Sequence, residues 1–139
     1  GWITAAEIEQ AMGMPLRTPA ENVPRVPGTL AAHYAPQTPL TLVESDLLTG
    51  LATTLTRQGK AVAVLALSEV RPLLPGLQWI AAPRQAAGYA HALYSNLRAL
   101  DAARCDAILV ERPPQGPGWI AINDRLGRAA AGSSASDTP

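Results

Sequence analysis

Short apolar runs and helix-spaced leucines alternate along the chain from residue 40 onwards. The unbroken apolar run 61–67 is too short for a typical helix and suits a strand that is covered on both faces. Shorter runs predict three further strands, which are Leu40–Val43, Leu77–Ala81 and 107–110. Most of these strands therefore belong in one buried sheet.

Helical periodicity fills the intervals between most of the strands. The clearest helix covers residues 86–104, with apolar residues at spacings of 4, 4 and 3, namely Tyr89, Leu93, Leu97 and Leu100. An earlier stripe predicts a helix that Ser45 or Asp46 caps and that ends before Gly59, formed by Leu48, Leu51 and Leu55. A last helix is predicted over residues 120–131. This order predicts a layered α/β sandwich with a mostly parallel sheet, although Pro72 and Pro75 leave room for one antiparallel strand.

The first 39 residues follow a different pattern. Thr4 and Glu7 have the spacing of a capping box for a short helix that ends at Gly13, and we expect this helix (1–14) to belong to a preceding domain. Residues 15–39 form a semi-rigid linker because six prolines interrupt them: Pro15, Pro19, Pro24, Pro27, Pro36 and Pro39. The α/β domain then covers 40–131, and we expect residues 132–139 to be a disordered tail.

Composition narrows the classes of function. Lys plus Arg and Asp plus Glu number 11 each, so the net charge of zero argues against a nucleic-acid grip driven by phosphate neutralisation. The single cysteine excludes an internal disulfide and a Cys-based metal cluster, and it fits a cytoplasmic location. No apolar stretch is long enough for a membrane span, and His33 and His91 lack a local metal-binding motif.

The ends of two predicted strands carry polar residues that could form a ligand crevice. Ser68 follows the run 61–67, and Glu111 follows the strand 107–110. Carboxyl ends of parallel strands are where open α/β sheets place ligands, although a lone carboxylate there is more often a cap or turn residue. Gly116 and Gly118 precede the last helix and could offer free amides to an anion, or could simply form a turn.

Two residues inside the last helix extend this candidate crevice. They are Asn123 and Arg125. Arg125 could pair with a phosphate or a carboxylate of a ligand, or it could form a structural ion pair with Glu111 or Asp101. The residue pattern leaves both alternatives open.

The adjacent pair His33-Tyr34 stands out in the linker. The imidazole could hydrogen-bond a phosphate and the phenol ring could stack on a base, and a segment restrained by prolines loses less entropy when it closes over a ligand. Alternatively, Tyr34 anchors the linker to a domain surface. The residues alone favour neither interpretation.

Two stretches of this sequence resemble the two-domain L-threonylcarbamoyl-AMP synthases. Residues 26–36, Val-Pro-Gly-Thr-Leu-Ala-Ala-His-Tyr-Ala-Pro, resemble the linker of that family. Residues 97–101, 108–111 and 116–126, the last reading Gly-Pro-Gly-Trp-Ile-Ala-Ile-Asn-Asp-Arg-Leu, resemble the end of its C-terminal domain. Residues 1–4 and the helix that follows resemble the last helix of its YrdC-like catalytic domain.

The resemblance implies a Rossmann-like accessory domain with a regulatory role, whose linker folds over the pocket of a YrdC-like domain absent from this chain. It implies that His33 and Tyr34 approach the nucleotide or gate that pocket. The full enzyme would join L-threonine, bicarbonate and ATP, with Mg, into threonylcarbamoyl-AMP, and other proteins would pass the threonylcarbamoyl group to adenosine 37 of tRNA. Leu30, Ala31 and Ala32 stand where some members have Lys-Tyr-Arg, so that cationic contact to a triphosphate is missing here.

The resemblance leaves this chain without chemistry of its own. We expect it to be inactive in isolation, and the sequence assigns no cofactor to it. Two alternatives are a stand-alone module for a nucleotide or another small ligand, and a structural domain that forms a homodimer through Trp79, Trp119 and the leucine-rich helices.

Overall fold

The computed structural model describes residues 34–133. The predicted helix 1–14, most of the linker, His33 and the last six residues of the predicted tail lie outside this range. Within it, the polypeptide forms four strands and three α-helices.

The four strands form one fully parallel sheet. They are β1 (Leu40–Val43), β2 (Val62–Ala66), β3 (Leu77–Ala81) and β4 (Ala107–Glu111), in the spatial order β1-β4-β2-β3. The two central strands, β2 and β4, are buried along their whole length, as expected for strands that are covered on both faces.

The suggested antiparallel strand is wrong, because β3 pairs with β2 in parallel register from Val62 opposite Leu77 to Ala66 opposite Ala81. The connecting segment 67–76 contains no helix. Ten extended residues span roughly 33 Å, about twice the length of a five-residue strand, so the chain can return to the start of the next strand without one.

Helices cover both faces of the sheet, which confirms the three-layer sandwich. The first helix, α1 (Ser45–Arg57), packs on one face together with Leu74 of the 67–76 segment. The other two, α2 (Ala86–Ala102) and α3 (Ile120–Gly132), pack on the opposite face. Side chains of the central strands alternate between the two cores, so that Leu109 faces α1 while Ile108 and Val110 face α2 and α3.

Several element boundaries differ from those predicted. Glu44 is the N-cap of α1 and makes no side-chain capping bond, so neither Ser45 nor Asp46 caps this helix. The hydroxyl of Ser45 instead donates to Glu111 Oε2 at 2.8 Å. At the other end of α1, Gly59 has φ +83°, which supports the predicted helix stop because glycine adopts that conformation without strain.

The domain continues two residues past the predicted boundary at 131. Helix α3 includes Gly132, and Ser133 is fully buried. The Ser133 hydroxyl accepts a hydrogen bond from Leu40 N at 3.1 Å and donates one to Ala130 O at 2.9 Å. Residues 132 and 133 therefore belong to the packed domain rather than to a tail, because Ser133 ties the end of α3 to the start of β1.

None of the helices in residues 34–133 combines the length and the hydrophobicity needed to cross a bilayer.

Candidate functional site: the anchored end of the linker

The last residues of the linker are fixed to helix α2 by a single carboxylate, that of Asp101. The hydroxyl of Tyr34 donates to Asp101 Oδ2 at 2.7 Å, and the Gln37 amide donates to the same oxygen at 3.2 Å. The amide and hydroxyl of Thr38 donate to Asp101 Oδ1 at 3.0 and 2.9 Å. We call these four residues, Tyr34, Gln37, Thr38 and Asp101, the Asp101 clasp.

The clasp also sets the protonation of its members. Burial of Asp101 disfavours the charged form, but the hydrogen bonds from Tyr34, Thr38 and Gln37 outweigh it, so the pKa of Asp101 is lowered from its ordinary value of 3.8. Burial raises the pKa of the Tyr34 phenol, and the hydrogen bond to Asp101 and the charge of that carboxylate raise it further. At neutral pH the clasp therefore joins an ionised carboxylate to a neutral phenol.

The ring of Tyr34 is held as firmly as its hydroxyl. It meets Tyr94 of α2 edge to face, with ring centroids 5.5 Å apart and an interplanar angle of 88°. It also packs against the core between the sheet and α2. Of the two interpretations of Tyr34, this geometry supports the anchor. His33 immediately precedes Tyr34 but lies outside the described residues.

A second carboxylate, Glu111, occupies the crevice at the carboxyl ends of β2 and β4. It accepts hydrogen bonds from three successive amides, those of Leu67 at 2.7 Å, Ser68 at 3.0 Å and Glu69 at 3.1 Å. The hydroxyls of Ser68 and Ser45 donate to Oε2 at 2.6 and 2.8 Å. The side chain thus sits where a ligand anion would sit in an open α/β sheet.

Glu111 is ionised despite its burial. The residue is 1% exposed, and this desolvation favours the neutral form, but the hydrogen bonds from Ser68, Leu67, Ser45 and Glu69 lower its pKa from the ordinary value of 4.5. The structure therefore brings Ser68 and Glu111 together, and their hydrogen bonds fasten the loop after β2 to the start of α1.

The Gly116–Gly118 loop serves as a turn. A short 3-10 helix, Pro117–Trp119, leads directly into α3, and the Trp119 amide donates to Gly116 O at 2.9 Å. The side-chain amide of Asn123 donates to Pro114 O at 2.8 Å and to Trp119 O at 3.0 Å. Asn123 therefore stabilises the turn in this conformation.

Arg125 lies apart from the other residues of the predicted crevice. It lines a groove with Tyr34, His91 and Tyr94 on the opposite side of the sheet from α1. The suggested ion pair with Asp101 or Glu111 is not formed, because both carboxylates are engaged by the donors described above. Within residues 34–133, Arg125 makes no ion pair at all. The six predicted residues are thus divided among three places in the fold.

Asp101 is the residue whose importance the sequence did not reveal. From the sequence, Asp101 is only a possible ion-pair partner of Arg125. In the structure it accepts the hydrogen bonds of the linker. Its contact with Tyr34 joins residues separated by 67 positions. No local motif marks such a long-range pair; only the placement of Asp101 near the end of α2, beside the strand that the linker enters, could have suggested it.

Metal binding has no visible basis in the described part of the chain. Residues 34–133 contain no group of three or more His, Cys, Asp or Glu side chains that could hold a metal ion. The carboxylates of the clasp and of the crevice have their oxygens engaged by N–H and O–H donors. These residues do not fit a site for Mg with ATP.

Comparison with known proteins identifies a family for this chain. Residues 3–131 match the family described as threonylcarbamoyl-AMP synthase, C-terminal domain. No curated protein matches the chain.

Two solved structures from P. abyssi share the fold. One is Sua5 complexed with L-threonine, at 23% identity and a TM-score of 0.58, covering 94% of this chain and 41% of that one. The other is a Sua5 variant with an adjacent His and Tyr both replaced by Ala, at 21% identity and a TM-score of 0.60, covering 94% and 40%. This chain therefore spans about two fifths of the length of those proteins.

The family match extends over almost the whole sequence, and the fold agrees with it. The chain belongs to the family of threonylcarbamoyl-AMP synthase C-terminal domains.

Proposed function

We propose that this chain is the accessory and regulatory domain of an L-threonylcarbamoyl-AMP synthase that acts in threonylcarbamoyladenosine modification of tRNA. Its partner is a YrdC-like catalytic domain of the same polypeptide, which binds ATP, L-threonine and bicarbonate. The linker, whose anchored end includes Tyr34, gates the pocket of that domain. Family membership supports the parentage, and the Asp101 clasp supports the gating role.

The clasp is the observation that carries the gating proposal. A gate needs a fixed point from which the covering segment extends. Four hydrogen bonds to Asp101 and the edge-to-face contact with Tyr94 provide one, immediately after His33 in the sequence. Tyr34 is thus a positioning residue in this conformation, and His33 remains the candidate for contact with the nucleotide.

The remaining features assign no chemical step to this chain. The crevice at the end of β2 and β4 is filled by Glu111, and the net charge is zero. We assign the ATP, the Mg and the bond-forming chemistry to the catalytic domain, and we propose that tRNA is reached only through later proteins of the pathway.

The dimerisation alternative receives little support from the two tryptophans. Trp119 packs edge to face on the buried Tyr89, with centroids 5.3 Å apart, and Trp79 is partly buried against the α1 side of the sheet. Both rings are thus used within the domain. Light scattering that shows a monomer at high concentration would remove this alternative.

The gating proposal is tested in the two-domain enzyme with Asp101→Asn and Tyr34→Phe. Asp101→Asn removes one acceptor oxygen of the clasp. Tyr34→Phe removes only the hydrogen bond from the Tyr34 hydroxyl to Asp101. Because hinge positions affect closure, we expect threonylcarbamoyl-AMP formation to fall by about fivefold or more. We also expect ATP to be cleaved to AMP and pyrophosphate without threonylcarbamoyl product, since an open pocket admits water.

The matched control is Asp124→Asn, which removes an exposed carboxylate whose one ion pair among the described residues is with Arg128, at 3.0 Å. We expect this variant to keep the rate and the product ratio. Unchanged synthesis and unchanged product ratio in both clasp variants would contradict gating through the anchored linker, while the assignment to the family would stand.

A further inference from the structure

A groove runs between α2 and α3 beside the anchored end of the linker. It has a volume of about 330 Å³, and the residues that matter for its chemistry are Tyr34, His91, Leu93, Tyr94, Leu97 and Arg125. We call it the α2–α3 groove. Its size lies at the lower end of the range for small-molecule sites.

The groove combines an apolar floor with aromatic walls. Leu93 and Leu97 are 3% and 4% exposed and belong to the core. The rings of Tyr34 and Tyr94 stand nearly perpendicular to each other, at 88°. A flat ring can therefore contact the face of one tyrosine and the edge of the other, which are the two favourable arrangements for aromatic pairs.

Arg98 already lies over the ring of Tyr94, 5.7 Å from its centroid, and Arg125 faces the groove from the other helix. Arg125 extends from α3, is partly buried, and makes no ion pair or hydrogen bond within residues 34–133. The carboxylate next to it in sequence, Asp124, pairs with Arg128 instead. A partly desolvated guanidinium with free donors binds a phosphate or carboxylate strongly, because it can form two parallel hydrogen bonds to it. The imidazole of His91 on the same groove offers one further polar contact.

We propose that the α2–α3 groove binds a small ligand that carries a flat aromatic ring and one phosphate or carboxylate group. The ring lies against Tyr34 and Tyr94, and Arg125 holds the anion. This proposal does not require the gating role, since it rests on residues of α2 and α3 and on Tyr34 at the anchored end of the linker.

Occupation of the groove would be coupled to the linker through Tyr34. The ring of Tyr34 forms a wall of the groove, while its hydroxyl is held by Asp101. A ligand that contacts this ring stabilises the anchored position of Tyr34. By linkage, loss of the Asp101 clasp must then weaken ligand binding by the same factor by which the ligand stabilises the anchored position of Tyr34.

The test is calorimetric titration of the 139-residue chain with four probes. AMP supplies a ring with phosphate and indole-3-acetate a ring with carboxylate, while adenosine lacks the anion and inorganic phosphate lacks the ring. We expect AMP, indole-3-acetate or both to bind with a Kd below about 1 mM, and the two control probes to bind at least about tenfold more weakly. Absence of binding by both at millimolar concentration would overturn the proposal.

Variants locate the site. Arg125→Gln should weaken binding by about tenfold, the loss expected when a charge-assisted hydrogen bond is removed, whereas Arg128→Gln on the same helix should not. Amide chemical-shift changes in the unaltered chain should concentrate at Ala90, Leu93 and Leu97, which keeps the test valid if a variant folds poorly. If Arg125→Gln binds the anionic probes as tightly as the unaltered chain does, the assignment to this groove is refuted. Amide chemical-shift changes confined to other surfaces would refute it as well.

Discussion

Two carboxylates, Asp101 and Glu111, organise backbone segments that are distant from them in sequence. Asp101 holds residues 34–38, and Glu111 holds residues 67–69 together with Ser45 at the start of α1. Each accepts hydrogen bonds from several N–H and O–H donors, most of which are partly buried and need such a partner. Their main role in residues 34–133 is therefore to replace the backbone pairing that irregular segments lack.

At Glu111 this role predicts a large cost for a nearly isosteric change. Glu111→Gln replaces one acceptor oxygen with an NH₂ group that faces donors, so we expect the free energy of unfolding to fall by about 3 kcal/mol. Denaturant unfolding of the two proteins measures the difference. The control is Glu69→Gln. Within residues 34–133 its carboxylate accepts a single hydrogen bond, from the Thr49 hydroxyl at 3.4 Å, so the substitution should change stability by less than about 0.5 kcal/mol. Equal effects at the two positions would contradict the role of Glu111.

The same two carboxylates predict how stability depends on pH. Their pKa values are lower in the folded protein than their ordinary values of 4.5 and 3.8, so the folded state resists protonation more than the unfolded state does. Their contribution is fully present above about pH 5 and is lost as the pH falls through the lowered folded values. Thermal unfolding from pH 7 down to pH 3 should show this decline, and Glu111→Gln should make it shallower. A slope that this substitution leaves unchanged would assign the acid sensitivity to other groups.

At the scale of elements, the end of α3 and the end of the linker constrain each other. A Cβ at Gly132 would lie 2.8 Å from the Cβ of Ala35, closer than real Cβ contacts, whereas a Cβ at Gly127 would meet nothing within 4 Å. Both glycines belong to the same helix. Segment 34–38 is thus held from two sides, by α2 through Asp101 and by α3 through this close approach.

This difference predicts that substitution of glycine by alanine has opposite effects on stability at Gly127 and Gly132. Gly127→Ala should stabilise the domain by about 0.5–1 kcal/mol, because alanine restricts the unfolded chain and favours the helix. Gly132→Ala should destabilise it by about 1–3 kcal/mol, because neither methyl group can rotate away and the backbone must move. Unfolding midpoints of the two variants provide the comparison, and a stabilising Gly132→Ala would show that Ala35 yields without cost.

At the scale of the whole molecule, the described domain has a filled crevice and an occupied anchor but no assembled catalytic group. We therefore expect the 139-residue chain to make no threonylcarbamoyl-AMP from L-threonine, bicarbonate and ATP. A chromatographic assay for the adenylate, with the two-domain enzyme as the positive control, measures this. Synthesis by the isolated chain above the no-enzyme rate would contradict the division of labour proposed here.

The sequence predicted the positions of the four strands and three α-helices in residues 34–133, because hydrophobic periodicity is a local property that a strand or helix imposes on its own residues. Strands Leu40–Val43 and Leu77–Ala81 were predicted at their observed bounds. The linker motif around His33 and the final Asn-x-Arg-Leu stretch carried the family resemblance. Local errors were confined to the cap of α1 and to element ends, where hydrogen-bond partners outside the element decide the boundary.

Tertiary structure decided strand direction and long-range contacts, which hydrophobic periodicity does not encode. The direction of β3 depends on the path of residues 67–76, and the roles of Tyr34, Asp101, Glu111 and Arg125 depend on which groups they meet. The hydrogen bond between Tyr34 and Asp101 joins residues 67 positions apart. The one between Ser45 and Glu111 joins residues 66 positions apart. Such pairs have no fixed spacing in sequence, since they form only when the sheet brings distant strand and helix ends together. The sequence by itself therefore determined the secondary-structure elements and the family of this protein. The packing of those elements decided which polar residues became anchors. It also decided which cation remained free for a ligand within residues 34–133.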